Sequence, residues 1–182
     1  MKKILYIVLP LLLSFGFSQK KKTDEPNPMK GVKTQTKLEY EYGEKFGEFK
    51  EIFKSKTIYK YDSNGNEVEE SNYDSDGSLK RKSIFKYDSN GNMVEGLFYD
   101  SEGSFSEKSI YKYDSNRNKV EMSNYDSEGS WFWTYTYKYD SNGNMFERFF
   151  YDSDEKLDRK YIWKYNDKNR LVVIKKYKYE LK

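Results

Sequence analysis

Lys86-Tyr87-Asp88-Ser89-Asn90-Gly91-Asn92 recurs almost letter for letter at residues 60–66, 112–118 and 138–144, and in worn form at 164–170. The leading lysines stand at 60, 86, 112, 138 and 164, a fixed step of 26 residues. Between them runs a shorter echo, Tyr-Asp-Ser-(Asp/Glu)-Gly-Ser, starting at Tyr73, Tyr99 and Tyr125 and decayed at Tyr151. Each Asp-Ser-x-Gly has the chemistry of a type I turn closed by a left-handed residue. The Asp carboxylate accepts from backbone amides two residues on, and Gly takes the positive φ of a G1 bulge. Arg117, Glu155 and Asn169 replace that glycine in three turns, the first two at a cost in strain.

Between the turns the chain alternates, which reads as an antiparallel meander. The expected fold is all-β: about ten strands built from 26-residue hairpin repeats, in a curved or partly rolled sheet. If each turn pairs residue i with i+4, odd-numbered residues share one face throughout. That face carries Tyr59, Phe85, Tyr87, Trp133, Tyr135 and most other aromatics. The even face carries lysines and a modest apolar stripe: Val68, Ile84, Val94, Ile110, Val120, Phe146, Ile162 and Val172. The same count sets a glutamate row, Glu69, Glu95, Glu121 and Glu147, on the aromatic face. It places Glu95 across from Phe85 and Ser109, Glu121 from Tyr111 and Tyr135, and Glu147 from Tyr137 and Tyr161. A buried unpaired carboxylate is costly, so tyrosine hydroxyls must bond this row or the strip must be wet.

The chain opens with Met1-Lys2-Lys3, an apolar run over 4–17 broken by Pro10, and Gly16-Phe17-Ser18. This reads as a signal peptide over 1–18, too short for a stable membrane span. Residues 19–37 read as a polar tether and 38–57 as a degenerate capping repeat, leaving 58–182 as the repeat domain. Within the cap, Phe49, Ile52 and Phe53 fit a helical face as well as a strand. The expected location is the periplasm, the outer surface or the medium.

Lys and Arg total 33 against 30 Asp and Glu, and removal of Lys2 and Lys3 brings the signs nearer balance. No clustered basic field for nucleic acid results. The chain has no Cys and no His, which removes disulfides, thiolate or imidazole metal sites and Ser-His or Cys-His catalysis. Asp62-Ser-Asn-Gly-Asn66 resembles the start of a calcium loop, but its glycine is misplaced and turn chemistry accounts for every residue. No metal or cofactor is expected. A glutamate repeated four times supplies equivalent environments, whereas acid–base catalysis needs distinct ones. The chain is therefore read as a non-enzyme.

Tyr61-Asp-Ser-Asn-Gly-Asn66, Tyr87-Asp-Ser-Asn-Gly-Asn92 and Tyr139-Asp-Ser-Asn-Gly-Asn144 resemble the YD repeats of the RHS-type family, over residues 58 to about 170. The chain is also similar to short tyrosine-rich hairpin repeats in secreted proteins of the Bacteroidota. The resemblance implies β-repeat architecture, a structural role for each Tyr-Asp pair and a carbohydrate-binding label. The step of 26 is longer than usual in that family, so encapsulation is not carried over.

The repeat breaks its own rule at Ser130-Trp-Phe-Trp-Thr-Tyr-Thr-Tyr137, whose counterpart is Ser78-Leu-Lys-Arg-Lys-Ser-Ile-Phe85. Flat rings beside carboxylates suit stacking on a sugar. The candidate ligand-binding residues are Trp131, Trp133, Tyr135, Tyr137, Glu121 and Glu147; the plainer reading is that the rings fill the sheet's core. The expected function is a surface binding module for a glycan or another cell-surface partner. The rival is a structural module that self-associates through sheet edges or the aromatic face.

Overall fold

Nine turns of the expected kind hold a single sheet together. The computed structural model describes residues 27–45 and 47–179; the expected signal peptide and residues 19–26 lie outside them. The strands are β1 (Thr34–Lys45), β2 (Glu48–Tyr61), β3 (Glu67–Asp74), β4 (Leu79–Tyr87), β5 (Met93–Tyr99) and β6 (Phe105–Tyr113). They continue with β7 (Lys119–Tyr125), β8 (Trp131–Tyr139), β9 (Met145–Tyr151), β10 (Leu157–Tyr165) and β11 (Leu171–Lys178). The order is strictly sequential and antiparallel, giving one open eleven-stranded meander that does not close into a barrel. Residues 48–56 extend in β2, so the helical alternative there is excluded. β1 starts at Thr34, inside the segment read as tether.

The turns follow their chemistry. In the first, Gly65 N–H donates to Asp62 C=O at 3.1 Å and Asp62 N–H to Asn66 C=O at 2.9 Å. Asp62 Oδ1 accepts from the amides of Asn64 and Asn66, and Oδ2 accepts from Asn66 Nδ2. Gly65 sits at φ +83°, while Arg117 and Glu155 are forced to +66° and +59°.

The parity count fails, for a reason repeated in every hairpin. Tyr61 lies opposite Glu67, but Lys60 lies opposite Glu69, leaving Val68 as an extra residue. Val94, Val120, Phe146 and Val172 occupy the same position in later hairpins. Lys80, Ser106, Phe132 and Asp158 do so at the other edge. A bulge adds one residue, and one residue inverts every side chain beyond it. Each face therefore takes odd residues from one strand and even residues from the next. The even apolar stripe is mostly bulge residues, and Phe132 is 59% exposed because it occupies one.

With the frame corrected, the glutamates lie opposite lysines. Lys60, Lys86, Lys112 and Lys138 pair directly with Glu69, Glu95, Glu121 and Glu147, at 2.9, 2.6, 2.8 and 3.3 Å. Their other neighbours are Ile84, Ile110, Thr136 and Ile162, so none of the expected aromatic pairings occurs. Glu69 and Glu147 each reach a second lysine, Lys82 and Lys160. Lysine contacts hold both carboxyls below their usual range, against a desolvation that is the largest single influence on Glu69.

The described residues form one layer with almost no dry core: Met145 and Trp163 are the buried hydrophobics. The middle of the sheet is filled by small polar residues, with Ser83 and Ser109 each 2% exposed. Stability must come from the ladder, the turns and cross-strand pairs worth about 0.2–1 kcal/mol each.

Residues 27–33 dock on the first turn. Asn27 Nδ2 donates to Gly65 C=O at 2.9 Å, and Tyr61 N–H donates to Lys33 C=O at 3.0 Å. A Cβ on Gly65 would meet Lys30 N at 2.7 Å and Asn27 Nδ2 at 2.8 Å, whereas Gly77 has nothing within 4 Å. Gly77→Ala is expected to cost about 1–2 kcal/mol, the left-handed penalty alone. Gly65→Ala should cost about twice that and release residues 27–33, read by thermal unfolding and by proteolysis near residue 30. Equal effects at the two glycines would exclude the docking.

Candidate functional site

The register sorts the six expected site residues onto two faces. Glu121 lies opposite Lys112 and Thr136, so it points away from the face that carries Met122 and Tyr135. Glu147 likewise faces Lys138 and Ile162. Trp131 lies opposite Tyr125, on the lysine face, and there its Nε1 donates to Thr134 Oγ1 at 2.8 Å. Thr134 Oγ1 is 2.7 Å from Ser123 Oγ, which is 3.3 Å from Glu121 Oε1. Trp131 and Glu121 thus end a polar chain across the lysine face. They are not brought beside Trp133, Tyr135 and Tyr137.

Those three rings stand on the opposite, aromatic face with partners from β9 and β10. Trp133 and Tyr135 meet edge to face at 5.3 Å. Phe150, opposite Tyr135 in register, lies 4.9 Å from it and 6.4 Å from Trp133. Tyr161 and Trp163 stack at 5.9 Å with planes 19° apart. Such pairs contribute about 0.5–1.5 kcal/mol beyond their area.

Three cations lie in this ring field. Arg148 Cζ sits 4.4 Å from the Tyr161 centroid, 5.0 Å from Tyr135 and 5.6 Å from Trp163. Lys119 Nζ lies 5.4 Å from Tyr111 and 5.3 Å from Tyr137. Arg159 covers Phe150 at 4.3 Å and is paired with Asp158 at 2.6 Å. Burial lowers the Lys119 pKa, and the nearby Arg148 charge lowers it further. Burial raises the Tyr137 hydroxyl well above its ordinary range. Phe150, Tyr161, Trp163, Arg148 and Lys119 were not expected at a site. Arg148, Phe150 and the frame shift are linked, because even numbering had put both residues on the solvent face.

A polar cleft of about 620 Å³ lies between turns 140–143 and 166–169, lined by Asp140, Asn142, Tyr165, Asn166, Asp167 and Asn169. Its Asp140 carboxylate is already engaged by Asn142 and Asn144, so the cleft is turn architecture. Among the described residues no three acidic side chains gather as metal ligands.

No family model and no curated protein matches the chain. Among solved structures it is similar to a porin-like protein from Bacteroides uniformis, with 16% identity, 85% of this chain, 59% of that one and a TM-score of 0.45. It is also similar to part of a TcdB2-TccC3-Cdc42 structure, with 12% identity, 79% of this chain, 8% of that one and a TM-score of 0.37. A DUF3836 family protein from Bacteroides vulgatus shares 17% identity over 52% of this chain and 97% of its own, at a TM-score of 0.29. The chain thus spans less than two thirds of each of the first two.

Proposed function

We propose that the chain is a secreted, non-catalytic module of YD-type hairpin repeats that binds a glycan at the bacterial surface through its aromatic face. One observation carries this reading: Trp133, Tyr135, Phe150, Tyr161 and Trp163 gather on one face of a single-layer sheet. In a two-layer fold such rings would fill a core. Here, among the described residues, no second layer lies over them. The partly exposed rings of Trp133, Tyr135, Phe150 and Tyr161, set beside the buried Trp163 and interleaved with hydrogen-bonding side chains, match the alternating apolar and hydroxyl surfaces of a sugar. The glutamates take no part, being held by lysines on the other face. The YD-type assignment rests on the turns themselves.

The test is a titration of Trp fluorescence against a glycan panel. Trp133→Ala is expected to weaken binding at least about ten-fold, as loss of an aromatic anchor does. Trp131→Ala, which alters the other face, should leave binding unchanged. No saturable change with any glycan would overturn the reading.

Self-association is the second reading. β1 and β11 are the edge strands, each unpaired on its outer side among the described residues, and they expose Leu38, Tyr40, Tyr42, Val172 and Ile174. Such edges invite pairing, and a molar mass that grows with concentration in light scattering would favour it.

A further inference from the structure

The repeat supplies its own reference for what the aromatic face requires. The position of Lys119 is Met93 and Met145 in the flanking repeats and Glu67 in the first, and that of Arg148 is Met122 in the repeat before, after Gly96 and Glu70. A methionine serves the fold at each place in a neighbouring repeat, so packing does not require the cations that β7 and β9 carry there. Neither cation makes an ion pair with any described residue, and Arg148 Nε is buried with no acceptor. A buried donor left without an acceptor is destabilising, and more so on a charged group. Two carboxylates near this face are already engaged: Glu107 accepts from Asn124 Nδ2 at 3.4 Å and Asp158 pairs with Arg159 at 2.6 Å. Arg148 lies opposite Tyr137 in register, and Lys119 lies over the same ring. The two cations therefore flank one aromatic platform.

We propose that this platform takes an anionic polysaccharide, its carboxylates received by Arg148 and Lys119 while its sugar faces stack on the rings around Tyr137. The inference rests on the glycan-binding reading and specifies its ligand class. Arg148 is only partly buried, and it is the Nη end of its guanidinium, not the buried Nε, that would meet a carboxylate in a bidentate fork. The rings alone would accept a neutral sugar, but the two unmatched cations select for charge. A second copy of this chain is the competing occupant, because Glu67 and Glu70 lie at the N-terminal end of the same face.

The experiment compares polygalacturonate with its methyl ester and with a neutral galactan, by calorimetry at low and high salt, on wild type, Lys119→Met and Arg148→Met. Both variants install the repeat's own residue and should fold, checked by near-ultraviolet circular dichroism. Arg148→Met should melt no lower than wild type, since it removes an unmatched donor. Binding of the free acid but not the ester, weakened at least about ten-fold in each variant and by salt, is the expected result. Equal binding of acid, ester and galactan would overturn the charge assignment and leave the glycan reading intact. Binding of none of the three would overturn the assignment, and the wider panel would then decide the glycan reading. A dimer that Arg148→Met dissociates would overturn it in favour of the second copy.

Discussion

Replacing Tyr87, Tyr113, Tyr139 and Tyr165 together by Phe is expected to cost about 4 kcal/mol, roughly 1 kcal/mol for each hydroxyl bond lost. That is most of the stability of a marginal domain. Each hydroxyl donates to a backbone carbonyl of the preceding hairpin: Tyr87 to Glu67, Tyr113 to Met93, Tyr139 to Lys119 and Tyr165 to Met145, at 2.7 to 3.0 Å. These carbonyls need a partner because a second bulge, the one at Val68 and its equivalents beyond the G1 bulge of each turn, ends the ladder early. β3 pairs with β4 only from Glu69, and β5 with β6 only from Glu95. The tyrosine therefore closes the gap that the bulge opens, and it does so once per repeat. Urea unfolding of the four single variants and the quadruple variant checks the sum. A quadruple variant within about 1 kcal/mol of wild type would show that water serves those carbonyls as well.

The same hydroxyls predict alkaline behaviour. Burial, the largest cause in each case, pushes Tyr87, Tyr113 and Tyr139 up to about 12 from 10.0. A folded value above the unfolded one means that the stabilisation is complete below pH 10 and is lost as pH rises through 12. The quadruple variant should show a weaker alkaline transition than wild type.

The turns, the sequential strand order and the three non-glycine left-handed residues were all legible, because each depends on local backbone chemistry at Asp, Gly, Arg117, Glu155 or Asn169. The second bulge was not. Its extra residue is Val68, Val94 or Val120 at one edge, an ordinary strand residue, and Lys80, Ser106 or Phe132 at the other, so neither edge announces a bulge. The sign of a frame shift lay elsewhere: an unbroken alternation leaves an unpaired carboxylate among aromatics in every repeat, a cost no stable repeat can carry. Moving that carboxylate by one residue places it beside the lysine of its own motif.

The candidate site was half legible for the same reason. Trp133, Tyr135 and Tyr137 stand out as departures from the repeat, and they do gather on one face. Glu121, Glu147 and Trp131 joined them only through the uncorrected count. Arg148 is as large a departure, replacing Met122, Gly96 and Glu70 of earlier repeats. Its place among rings depends on register, which sequence spacing alone misjudged.

Asp114→Ala is expected to cost about 3 kcal/mol and Asp126→Ala about 2, counting roughly 1 kcal/mol per hydrogen bond. The difference lies in the residue that ends each turn. Asp114 accepts from the amides of Asn116 and Asn118 and from Asn118 Nδ2. Asp126 accepts from the amides of Glu128 and Ser130. The turn at Asp114 has less to spare, because Arg117 holds φ +66° where Gly129 sits at +83° in the other. Arg117→Gly should therefore stabilise by about 1 kcal/mol and recover part of the loss in the double variant with Asp114→Ala. If the asparagine is interchangeable with serine, the two aspartate variants will unfold at the same urea concentration. If Asn118 provides the third contact, Asn118→Ser will bring the first turn level with the second.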